Sequence, residues 1–126
     1  MPELPEVETI KRELKPHLIN KKVLKVKIQR KDIIGYPSAE EFIKGIQGKT
    51  ITKLVRKGKY LIFELDNDKV MVIHLRLSGQ LLIWHKNNGS APKHERIRFF
   101  LSDNKVLSFV EPRVLGRAYL VSKHNY

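Results

Sequence analysis

The chain has 126 residues, 41% of them hydrophobic, with no cysteine and a formal net charge of +12 from 25 Lys and Arg against 13 Asp and Glu. That length suits one domain with a real core and is short for two. The lack of thiols excludes disulfides and thiolate metal sites within these residues, and no apolar run reaches the ~18–20 residues of a membrane-spanning helix.

So large a cationic excess points to a polyanionic partner, nucleic acid before anionic membrane, with a lysine-rich surface kept for solubility as the plain alternative. Met1–Thr9 is acidic and proline-punctuated rather than basic then apolar, so no targeting signal is expected there. With the missing cysteines this favours a cytoplasmic or nucleoid location.

Leu4, Val7, Ile10, Leu14 and Leu18 keep helical spacing and predict an amphipathic helix over about residues 4–18. Pro5 suits its first turn, where a missing N–H costs nothing. Glu6 and Glu8 lie toward the positive end of the dipole, and Lys11, Arg12 and Lys15 toward the negative end. VLKVKIQR, from Val23, alternates as a half-buried strand. Ser38 and Glu41 then form a capping box ahead of Phe42, Ile43 and Ile46, and Gly48 stops this second, short helix.

After Gly48 the chain reads as strands: TITKLVRK, KYLIFEL, KVMVIHL, QLLIWHK, RIRFFL, KVLSFV and RAYLV. Turn residues fall at Asp66–Asp68, Asn87–Pro92 and Asp103–Asn104, and NNGSAPK is the one long loop. The predicted fold is mainly β: about eight antiparallel strands in a β-sandwich or flattened barrel, with an N-terminal amphipathic helix and a second short helix. Basic residues recur at Lys21–Lys31, Lys53–Lys59 and Lys93–Arg98, a folded basic surface rather than a tail.

The opening residues carry chemistry of their own. Removal of Met1 turns Pro2 into a chain end with a secondary amine, a nucleophile that no internal residue can supply. Such an amine can attack an electrophilic carbon and leave a covalent iminium. Glu3 beside it can donate a proton; its plain alternative is a carboxylate favouring the helix N-terminus. Glu3 and Glu6 would also hold the amine cationic, whereas attack needs it neutral, so burial must oppose them.

MPELPEVET, RKGKYL, IHLRLSG, KHERIRF and EPRVLGRAYL follow the order and spacing of the formamidopyrimidine-DNA glycosylases, and the chain resembles the N-terminal, catalytic domain of that family along its whole length. The resemblance implies a bacterial base-excision repair enzyme, a bifunctional glycosylase and AP lyase, acting as a monomer on double-stranded DNA with oxidised purines or abasic sites. It implies Pro2 as nucleophile, Glu3 as the acid, Glu6 as a second acid that holds the sugar or orients the amine, and Lys59 beside the sugar-phosphate assisting β-elimination.

It further implies His94 as a DNA contact and Arg113 as the arginine that enters the helix opposite the extruded nucleotide, since the target must leave the stack. Leu77 and Leu115 fall at the other wedge positions, or serve as core leucines. His74, in HLRLSG, is a DNA contact by its motif or a packed strand histidine. The family's second half, a helix-two-turns-helix and a four-cysteine zinc finger, has no match here, so a fragment of a longer enzyme is expected, with no cofactor in these residues.

Leu77 stands where the family has methionine, Val114 and Leu115 where it has arginine and phenylalanine, and Arg96 where it has histidine. Two other classes compete. A non-enzymatic basic module would bind DNA without using Pro2. An amino-terminal-proline tautomerase would use Pro2 as a base, but such chains begin with a strand and need no large positive charge.

Overall fold

The computed structural model describes residues 4–125. Pro2 and Glu3 lie outside them. The first helix, α1, runs Leu4–Leu18, as the periodicity predicts. It buries Val7, Leu14 and Leu18, with Ile10 packed beside them. Pro16 sits inside its last turn, where it leaves the Arg12 carbonyl without the usual helical N–H. Asn20, at φ 67°, then takes the left-handed conformation that ends helices.

Nine strands follow in chain order: β1 Val23–Ile28, β2 Ile34–Tyr36, β3 Ile51–Lys57, β4 Tyr60–Leu65, β5 Lys69–His74, β6 Gln80–His85, β7 Glu95–Leu101, β8 Lys105–Val110 and β9 Arg117–Ser122. The second helix, α2, spans Ala39–Ile46 between β2 and β3. Ser38 caps it, its Oγ accepting the Glu41 N–H at 3.2 Å, and Gly48 lies just beyond its end at φ 85°. The predicted cap and stop are both present.

The strands form two sheets, β1-β7-β8-β6 and β2-β9-β5-β4-β3. The architecture is therefore an open sandwich, and not a closed barrel. Prediction counted eight strands, all antiparallel. The ninth is β2, three residues that pair in parallel with β9, too short for any alternation to show. The chain passes from one sheet to the other three times, between β1 and β2, between β5 and β6, and between β8 and β9. NNGSAPK is long because β8 lies between β6 and β7, so the connection must step over it.

Phe42, Phe63, Phe99 and Phe109 are fully buried between these layers, each stabilising the fold by about 1.5–3 kcal/mol over leaving it in water. The helix α1 packs against β3, β4 and β6, while α2 packs against β1, β2 and β9. Each helix thus bridges both sheets along one open side.

The outer face of the four-stranded sheet is sealed by its own side chains. The Arg98 guanidinium lies 5.6 Å from the ring centres of both Trp84 and Phe100, a favourable cation–π arrangement. Trp84 donates its indole N–H to Ser108 at 2.8 Å. Ser108 in turn bonds Glu95, which is 5% exposed and also accepts from Arg98 at 2.7 Å and from Gln29. Burial alone would raise the Glu95 carboxyl, but bonds from Arg98, Ser108 and Gln29 outweigh it and lower its pKa.

Candidate functional site

Register places the predicted residues at one end of the sandwich. Tyr60 pairs with His74, and His74 with Arg117, so the β3–β4 turn, the end of β5 and the start of β9 share that end. In the other sheet Val110 pairs with both Gln80 and Glu95, which brings in the β5–β6 loop, the entry to β7 and the β8–β9 loop. Lys59, His74, Leu77, His94, Arg113 and Leu115 therefore lie on one rim, although 56 positions separate Lys59 from Leu115 in the chain.

Lys59 is the second residue of a two-residue hairpin turn, since Lys57 pairs with Tyr60. Gly58 precedes it at φ 62°, the positive first position that such a turn needs. Within the protein nothing lies within 4 Å of where its Cβ would stand.

The turn is tied to α1 by Arg56. Its Nε donates to Glu8 at 2.8 Å and its Nη1 to the Gly58 carbonyl at 3.1 Å. Arg56, with Lys11 second, holds the Glu8 carboxyl down at about 2. This link fixes the N-terminal half of α1 beside Lys59. Glu6 lies exposed in the helix's first turn, above a shallow hollow lined by Pro5, Thr9 and Ile10.

His74 is half-buried, and its Nδ1 accepts the Arg76 N–H at 3.1 Å. Tyr60 meets it edge to face, with centroids 4.6 Å apart. Its pKa is lowered, first by burial and then by the charges of Arg76 and Lys59. It is therefore a packed strand-end histidine within reach of the Lys59 charge.

Leu77 and Leu115 are each 45% exposed. The core-leucine alternative fails for both. Between Arg113 and Leu115, Val114 turns inward to pack on the core while its backbone takes φ 55°. A β-branched residue in that region carries strain on the order of 1–3 kcal/mol. Arg76 at φ 58° and His94 at φ 60° share the left-handed conformation, so three rim loops hold strained turns. Arg96 donates to the Glu111 and Pro112 carbonyls at 2.9 and 3.5 Å, and braces the loop that carries Arg113.

Sequence reasoning missed Glu8 and Arg56 as a tie, and it missed Glu111. The signal for Glu111 was an acid directly after the apolar run of β8, where a carboxylate must find partners. No described group of three or more His, Asp or Glu residues could hold a metal, and a four-cysteine zinc site has no counterpart in a chain without cysteine. No described helix is long and apolar enough to cross a membrane.

The same sandwich occurs in solved structures. The formamidopyrimidine-DNA glycosylase of Lactococcus lactis, non-covalently bound to DNA containing an abasic site, superposes with a TM-score of 0.90 at 30% identity, over 97% of this chain and 46% of that one. In complex with DNA containing FAPY-dG it gives 0.90 and 30%, over 97% and 45%.

In sequence, residues 1–118 match the profile of the formamidopyrimidine-DNA glycosylase N-terminal domain. The formamidopyrimidine-DNA glycosylase of Moorella thermoacetica is 42% identical over 125 residues, 98% of this chain and 44% of that protein. That of Carboxydothermus hydrogenoformans is 44% identical over 116 residues, 92% and 43%. The chain belongs to the formamidopyrimidine-DNA glycosylase family, and what it carries is the family's N-terminal domain. It spans under half the length of the curated relatives it matches.

Proposed function

We propose that this chain is the nucleophile-bearing, DNA-facing part of a base-excision repair glycosylase and AP lyase that removes oxidised purines from double-stranded DNA. The gathering of Lys59, His74, His94, Arg113 and two exposed leucines on one rim beside the start of α1 carries this reading. Relatives solved on abasic-site and lesion DNA support it.

In this reaction the Pro2 nitrogen attacks C1′ and gives up its proton as the base leaves with the bonding electrons. A proton from Glu3 goes to the departing base or to O4′. The nitrogen lone pair then breaks the C1′–O4′ bond, opening the sugar to the iminium. The resulting iminium makes a C2′ proton labile. Its removal expels the 3′ phosphate, and water releases the amine. Lys59, held by the tight turn, supplies positive charge near the sugar-phosphate, and Glu6 orients the amine or the sugar. Arg113, Leu77 and Leu115 fill the gap left by the extruded nucleotide, whose unstacking costs a few kcal/mol. The protein works as a monomer in the bacterial cytoplasm, at the nucleoid. No cofactor takes part within these residues, and any zinc belongs to the family's second half.

Incubation with abasic-site DNA and borohydride tests this directly. A covalent adduct should form when Met1 has been removed and fail to form when it is retained. Undiminished trapping with Met1 in place would overturn Pro2 as the nucleophile. DNA binding with no adduct under either condition would leave a non-enzymatic binding module.

A further inference from the structure

We infer that Glu111 is a positioning residue, a single buried carboxylate that sets the two arms of the DNA wedge relative to one another. It is 0% exposed at the end of β8. One oxygen, Oε1, accepts the Ser78 hydroxyl and the Arg113 N–H, the latter at 3.2 Å. The other, Oε2, accepts the Gly116 N–H at 2.7 Å. Ser78 adjoins Leu77, while Arg113 and Gly116 bracket the turn that presents Leu115. One side chain therefore reaches the β5–β6 loop and both ends of the Arg113–Leu115 segment.

Its backbone reaches the third loop, donating its N–H to the His94 carbonyl at 3.0 Å. A Cβ at Gly116 would stand 2.8 Å from Oε2 and 2.8 Å from the His74 carbonyl, so a residue without one is what lets that N–H close on the carboxylate. Its two oxygens together take three donors, a task an amide with one oxygen could not perform. The strained φ of Arg76 and Val114 on either side needs such over-determination to persist.

The inference rests on the proposed reading that this rim inserts into DNA, and the test separates the two. Glu111→Gln keeps the shape, but its amide nitrogen must face one set of donors and release one arm. The quantity measured is the ratio of dissociation constants for an undamaged duplex and the same duplex carrying one tetrahydrofuran abasic site. Arg113→Ala and Leu115→Ala should lower that ratio; if neither does, the wedge reading itself fails.

Given that they do, Glu111→Gln should lower it about tenfold, the scale of one hydrogen bond to a charged group. In an Arg113→Ala/Leu115→Ala/Leu77→Ala background it should add nothing, because both arms it places are already gone. A wild-type ratio, or an equal loss in both backgrounds, would overturn the positioning role. Should Glu111→Gln show no cooperative melt, Ser78→Ala carries the same test: it should lower the ratio in the wild-type protein and not in Leu77→Ala, and any other pattern counts against Glu111.

Discussion

Gly116→Ala is the sharpest single probe of how tightly the rim is built. The added methyl would meet Glu111 Oε2 and the His74 carbonyl at 2.8 Å each, and the ring of Phe109 at 3.1 Å. Neither a backbone carbonyl inside a paired strand nor a fully buried Phe109 gives way freely. Overpacking of this kind costs about 1–3 kcal/mol. Displacing the carboxylate weakens its bond to the Gly116 N–H, which adds about 1 kcal/mol. A total of about 2–4 kcal/mol should lower Tm by roughly 10–20 °C for a domain of this size.

Gly48→Ala is the matched control. Nothing lies within 4 Å of its Cβ position, and only its φ of 85° opposes the change, so it should cost about 1–2 kcal/mol. Thermal unfolding followed by circular dichroism measures both. A Gly116→Ala protein as stable as Gly48→Ala, with abasic-site discrimination intact, would show that the rim yields and that the packing argument is wrong.

Lowering of the Glu8 carboxyl to about 2 from 4.5 predicts an acid dependence: the stability it contributes is complete above about pH 4.5 and is lost as pH falls toward 2. Urea midpoints of wild type and Glu8→Gln should therefore differ at neutral pH and converge by about pH 2; a constant gap would mean that the charge is irrelevant. Glu3→Gln should slow release of a damaged base and spare action on a preformed abasic site, whereas Lys59→Ala should impair strand cleavage on both substrates, as gel assays of each step would show. Binding to undamaged duplex should weaken with salt, with a log–log slope of ~0.9 per phosphate neutralised. A salt-insensitive association would point to an apolar partner instead.

What the sequence disclosed follows from what is local. The stripe from Val7 to Leu18, the Ser38 cap and eight of the strands are each encoded within a few residues of themselves, and each is legible. The three residues of β2 hold no period, and their pairing depends on β9, more than 80 positions away. The same limit governed the site. Lys59 and Arg113 stand in motifs and are legible there as candidates. Glu111 was passed over because EPR was read for its arginine, while the meaning of its acid lies in Ser78 and Gly116, which only folding brings to it. Leu77 and Leu115 could not be sorted between wedge and core from spacing alone, because exposure is a property of the assembled loops.

Trp84 is the only tryptophan in the chain. It lies on β6, whose other end, at Gln80, meets the rim. Its indole is fixed by Ser108 and overlaid by Arg98 on the outer sheet face. The protein thus contains a native fluorophore placed away from the surface proposed to meet DNA. Its emission reports the integrity of the four-stranded sheet, and a base analogue in the duplex reports the rim. A rim variant that changes the second signal and leaves the first alone has altered DNA engagement, and one that moves both has loosened the sandwich.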